Sequence, residues 1–210
     1  MDRRFPADRI LAGAIALIGT ANFALQMVLS VAANGGLVSA LVVLTRFFTI
    51  LTNAAVVVTM LQISAGRRVD RRVMLALTTA IAIVAAVYHT VLADLQSFRG
   101  LNAVTDTGFH TVIPALAMLW WLLFADRALR WRDVAWVLPF PVAYCLVALL
   151  RGAASERYPY PFLDLPQIGP LALVANIAGL TLAFLLVGAM FAAIARLRPP
   201  SRGSNPRARA

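Results

Sequence analysis

Two hundred and ten residues would make one domain, or two small ones, in a water-soluble protein. Hydrophobic residues make up 61% of the chain and charged residues only 13%, against about a quarter charged in a soluble globule, which excludes a water-facing surface on all sides. The formal charge of +10 would suggest nucleic acid in a soluble chain, but all nineteen basic residues are arginines lying mostly between apolar runs, a topology signal rather than a phosphate-binding surface. The expectation is an all-α integral membrane protein with no nucleic-acid partner. The arginine- and alanine-rich usage hints at a GC-rich bacterial genome, hence a multi-pass protein of the cytoplasmic (inner) membrane.

Crossing a bilayer takes about 20 mostly apolar residues. Six segments approach that length, at 10–31, 44–63, 73–93, 107–124, 134–150 and 171–195, and predict six transmembrane helices within a domain of residues 1–198. The first follows Arg3 and Arg4 and superficially resembles a signal peptide. It exceeds the usual apolar run of roughly 7–15 residues and carries Asn22 and Gln26, so a retained helix is expected. Asn22, Gln26 and Ser30 recur at four-residue spacing as one stripe. On the second segment Thr45, Thr49, Thr52 and Asn53 share a face that turns apolar at Val56 and Met60.

His89 falls near the end of the third segment. The fourth must begin near Thr107 and include His110, because too few apolar residues follow Val112. Pro114, four residues after His110, cannot donate to the His110 carbonyl and predicts a kink. The fifth holds the single cysteine, Cys145, expected to pack; the sixth carries Asn176. Residues 199–210 read as a basic, disordered tail near anionic headgroups.

Arginines set the orientation. Arg3, Arg4, Arg9, Arg67, Arg68, Arg71, Arg72, Arg127, Arg130, Arg132, Arg196, Arg198, Arg202, Arg207 and Arg209 fall on one side, against Arg46, Arg99, Arg151 and Arg157 on the other. Both termini are therefore expected in the cytoplasm. Asn22, Gln26, Thr49, Thr52, Asn53, His89, His110 and Asn176 then share a level on five helices, which predicts a polar chamber open toward the outer leaflet. Simpler roles remain for each: a membrane threonine often bonds the carbonyl four residues back, and Asn or Gln stripes glue helices together. Two histidines without HxxxH spacing or clustered carboxylates make a poor metal site. No phosphate-binding glycine loop or G-x-S-x-G elbow occurs, so neither metal nor cofactor is expected.

Three stretches are distinctive together: Arg46-Phe47-Phe48-Thr49-Ile50-Leu51-Thr52-Asn53, Phe109-His110-Thr111-Val112-Ile113-Pro114, and Tyr158-Pro159-Tyr160-Pro161-Phe162-Leu163-Asp164. Their order and placement resemble the androgen-induced/androgen-dependent family of multi-pass membrane hydrolases, particularly its small bacterial six-helix members. The resemblance implies Thr49 as nucleophile, His110 as its essential partner, and a lipid ester of the fatty acid ester of hydroxy fatty acid type as substrate. A threonine hydroxyl needs a base within reach to become nucleophilic, and histidine suits that task near neutral pH. Asn53, His89, Asp94 and Asp106 are candidates to orient the imidazole; Asn22, Gln26, Asn176 or a freed backbone N–H are candidates to stabilise an oxyanion. The alternatives are a protein that binds or transports a lipid or small molecule in the same chamber without chemistry, and a membrane scaffold.

Overall fold

The computed structural model describes residues 6–197 except 96 and 127; the expected tail at 199–210 lies outside the described residues. Among the described residues every regular element is a helix. They are α1 (Pro6–Asn34), α2 (Leu37–Leu44), α3 (Phe48–Ser64), α4 (Arg71–Leu95), α5 (Leu101–Phe124), α6 (Trp131–Ser155) and α7 (Leu165–Leu197). Five are long and apolar enough to cross a membrane, and α2 with α3 makes a sixth span if that bent pair counts as one. Leu17, Leu146, Leu171 and Leu186 face outward, each more than half exposed, as a lipid-facing surface requires. Ile15, Met60, Leu75, Ile81, Ile113 and Trp121 fill the interior.

Local chemistry sets several boundaries. Asp70 caps α4 by accepting the Arg72 N–H at 2.7 Å. Gly169 takes φ 75° just before Pro170, a left-handed conformation that glycine tolerates without a Cβ clash. The long run of α7 therefore starts at Leu171, where the sequence places it. The arginine-rich connections gather at one end, where Arg72 Nε and Arg71 Nε meet the buried Asp133 carboxylate at 2.9 and 3.5 Å. There Trp120 Nε1 also donates to Asp8 O at 2.9 Å, and Arg196 lies over the Trp131 ring.

The opposite end departs from the expected second span. In place of one helix over 44–63, α2 ends at Leu44 and α3 begins at Phe48, the two bent by 98°. The apolar window runs through the break because its cause lies in other elements. Arg151 of α6 donates from Nη2 to Val42 O at 2.9 Å and from Nη1 to Thr45 O at 3.3 Å, and Tyr144 Oη donates to Arg46 O at 2.6 Å. Those contacts replace the helical bonds the turn gives up. Thr45 consequently leaves the face of Thr49, and its hydroxyl bonds Leu41 O at 2.8 Å.

The expected kink before Pro114 takes the form of a π turn over Gly108–Val112. The Ile113 N–H reaches back to Gly108 O and Pro114 has no N–H to give, so the Phe109 carbonyl is left without a helical donor. Asn53 Nδ2 occupies it at 3.1 Å. A Cβ at Gly108 would overlap the Asn22 amide, which itself donates to Thr105 O at 3.1 Å. Gly108→Ala should therefore destabilise the protein by about 1–3 kcal/mol, read as a lower melting temperature in detergent. Adding Asn22→Ala should return part of that loss, and a simple sum of the two single losses would exclude the overlap as its cause.

Candidate active site

Thr49 lies in the first turn of α3, directly after the break, and is buried. Its Oγ1 sits 3.3 Å from His110 Nε2. The other ring nitrogen, Nδ1, is 3.0 Å from Asp106 Oδ1 and 3.0 Å from Asp106 O. Both neighbours are acceptors, which assigns the proton to Nδ1 and leaves the Nε2 lone pair facing the threonine hydroxyl. Tyr88 Oη donates to Asp106 Oδ2, and the Tyr88 ring stacks on the imidazole at 3.8 Å between centroids. The result is a continuous line of Thr49, His110, Asp106 and Tyr88 from α3, α5 and α4. Asp106, one of four candidates in the sequence, orients the imidazole.

A cavity of about 260 Å³ opens beside this line. Gln26, Thr49, Tyr88, Asp106, His110 and Tyr160 are among its walls, and the exposed Leu95 and Phe98 form part of its rim. A second, apolar slot of about 110 Å³ meets it at Thr49, Leu92 and Tyr160. Val84, Leu138, Tyr144, Ile177 and Phe184 line the slot, and the exposed Val142 brings it to the outer surface of the bundle.

The 158–164 motif folds over this end. Pro159, Tyr160 and Pro161 close the larger cavity, and the Tyr160 ring stacks on Phe162. Burial raises the Tyr160 phenol above its ordinary pKa. The Thr49 hydroxyl, the Thr49 and Phe48 N–H groups and Tyr144 pull in the opposite direction. The phenol thus keeps its proton at neutral pH, and its oxygen accepts from the N–H groups at the start of α3.

Only part of the expected chamber is assembled. Thr49, His110 and Gln26 reach the cavity. Asn22 is buried behind it, tying α1 to α5, and Asn53 lies deeper, bonding Thr49 O at 2.8 Å as well as Phe109 O. Thr52 is fully buried on α3, its hydroxyl without a partner among the described residues. His89 points out of the site: it is exposed, and its Nε2 meets Thr111 Oγ1 at 3.0 Å. Asn176 serves the fold elsewhere by donating to Phe162 O at 3.0 Å, which pins the closing loop to α7. Tyr88 carries no signal in the sequence, and Tyr160 stands out there only within the 158–164 stretch. The four-residue interval from Asp106 to His110 was the available signal for the carboxylate.

The tautomer has a direct check. In ¹⁵N spectra of the protein in detergent, His110 should show a protonated Nδ1 and a bare Nε2. Asp106→Ala should erode that preference, and an Nε2-protonated ring in wild type would refute the assignment. Comparisons of the chain with protein families, with curated proteins and with solved structures found no match.

Proposed function

We propose that the chain is an intramembrane hydrolase of lipid esters, of the fatty acid ester of hydroxy fatty acid type that the family resemblance implies. The observation that carries this reading is the Thr49 hydroxyl facing the unprotonated nitrogen of a histidine whose other nitrogen is held by a carboxylate. The 3.3 Å separation is a loose hydrogen bond of the kind that tightens when substrate arrives.

In the proposed cycle Thr49 Oγ1 attacks the ester carbonyl carbon as His110 Nε2 takes its proton. The tetrahedral oxyanion collapses, the bond to the alcohol oxygen breaks, and His110 returns the proton to the departing alcohol. Water then attacks the acyl-threonine with His110 again as base, releasing the carboxylic acid and restoring Thr49. The first-turn N–H groups of α3, which has no side-chain cap, meet the Tyr160 phenol, so that helix start and the Tyr160 hydroxyl together make the polar surface beside the developing negative charge. The apolar slot suits the acyl chain, and the larger cavity the alcohol portion with its access to water. With the arginine-rich end cytoplasmic, both termini lie inside and the site faces the outer leaflet of the bacterial inner membrane.

The test is covalent labelling of the purified protein with a lipophilic fluorophosphonate. Wild type should carry the adduct on Thr49 by mass spectrometry, and Thr49→Ala and His110→Ala should carry none while remaining folded. Labelling should slow by roughly 10²–10⁴-fold in Asp106→Asn, and ester turnover by roughly 10²-fold in Tyr160→Phe. Folded wild type that stays unlabelled, yet still binds a lipid analogue in the cavity, would leave a binding or transport protein in place of the hydrolase.

A further inference from the structure

The apolar slot beside Thr49 has a closed end. It runs from Leu92 to Ile83 along α4, from Cys145 to Leu138 along α6 and from Ile177 to Phe184 along α7. Ile83, Leu138 and Phe184 stand at the end away from Thr49, toward the arginine-rich connections. Beyond them come Thr79 and Gly188, one helical turn further along α4 and α7, and Val137, the neighbouring residue of α6. All three are buried, and a Cβ at Gly188 would come within 2.8 Å of Val137 Cγ1 and 3.6 Å of Thr79 Oγ1. The three helices therefore meet there with no space for a chain between them. Within the slot the Tyr144 hydroxyl is engaged by Arg46 O and the Thr181 hydroxyl by Ile177 O. What the slot presents beyond Thr49 and Tyr160 is aliphatic side chains, aromatic rings and the Cys145 thiol.

We infer that the slot gauges chain length and selects esters of an unbranched acyl group of about eight to twelve carbons. At 1.5 Å per residue the three helical stretches make it about 10–14 Å deep, which an extended chain of that size spans. The inference rests on the hydrolase reading for the ester carbonyl at Thr49, where the slot and the larger cavity meet. Lipid tails are as apolar as the slot, so packing decides the preference rather than removal from water. A shorter chain leaves Ile83, Leu138 and Phe184 without partner atoms. A longer one runs into the contact of Val137, Gly188 and Thr79 and has to turn out past the exposed Val142. A branch near the carbonyl meets the Phe48 ring, which is packed against the rings of Tyr144 and Phe184 at 5.0 and 6.0 Å between centroids.

The test uses the full chain in detergent with two readouts. Cys145 is the single cysteine and lines the slot, so an occupant slows its alkylation by N-ethylmaleimide. Straight-chain primary alcohols of about 4–18 carbons, at equal mole fraction in the micelle, should protect Cys145 best at about eight to twelve carbons and several-fold less at either extreme. Leu138→Phe, which fills the closed end, should move that optimum about three carbons shorter, and Leu138→Ala about two longer. Either variant reads the closed end if the other does not fold. The second readout is the rate at which alkyl fluorophosphonates of the same chain lengths label Thr49, which should show the same optimum. Thr49 labelled equally at every length, with protection of Cys145 equally flat, would overturn the gauge and leave the hydrolase in place. An optimum that neither Leu138 variant moves would overturn it as well. An optimum in Cys145 protection that those variants do move, with Thr49 unlabelled, would uphold the gauge for a bound chain and remove the hydrolase.

Discussion

One amide holds the two halves of the site together. Asn53 Nδ2 donates to the carbonyls of both Thr49 and Phe109, the residue before His110. It thereby ties the start of α3 to the π turn of α5. The bond matters because a membrane interior offers no water to an orphaned carbonyl. An irregular backbone survives there only where a neighbouring side chain completes it. Two irregular stretches beside the site, the α2–α3 turn and the π turn over Gly108–Val112, meet that condition through Arg151 and Tyr144 in the first case and Asn53 in the second. They also deliver Thr49 and His110 to each other. Backbone disorder at this end is thus confined, satisfied and placed where the chemistry would be.

The imidazole is fixed from three sides. Asp106 takes Nδ1, Thr49 faces Nε2, and the Tyr88 ring covers one face. Tyr88 also donates to Asp106 through its hydroxyl, so a carboxylate in an apolar setting has two donors rather than one. This division of labour separates the polar residues that stripe helices α1, α3 and α7. Asn22, Asn53 and Asn176 all donate to backbone carbonyls and act as helix glue. Of the titratable or nucleophilic candidates, Thr49, Asp106 and His110 converge on the cavity, and His89 and Asp94 do not line it.

Much of this was legible in the sequence for a physical reason. Apolar length gives the spans, and arginine placement gives which connections share an end. Thr49 and His110 fall at one level because chain direction alternates from helix to helix. The break at 45–47 was not legible, because the apolar run continues through it and the groups that stabilise it, Tyr144 and Arg151, lie about a hundred residues away. His89 was misplaced because depth along a helix says nothing of its face, and a π turn over Tyr88–Leu92 alters the helical phase at that point. Asp106 was visible but undistinguished from three other candidates until the π turn set the face that it shares with His110.

The shortness of α3 connects these features. Its 17 residues span about 25 Å at 1.5 Å per residue, less than the roughly 30 Å of a hydrocarbon core. Ser64 is held at the arginine-rich end by Arg9, which donates to its carbonyl at 3.2 Å. The start of α3 therefore falls short of the opposite surface. The α2–α3 turn, the 158–164 loop and Tyr160 fill the difference. A helix start placed there keeps the positive end of its dipole in surroundings of low dielectric, where partial charges act more strongly than in water. Thr49 lies in that first turn with an apolar slot on one side and a wetter cavity on the other. An amphiphile seated as proposed, with its polar linkage at Thr49, would keep its chain in the slot, so the depth of the break would set which part of the molecule meets the hydroxyl.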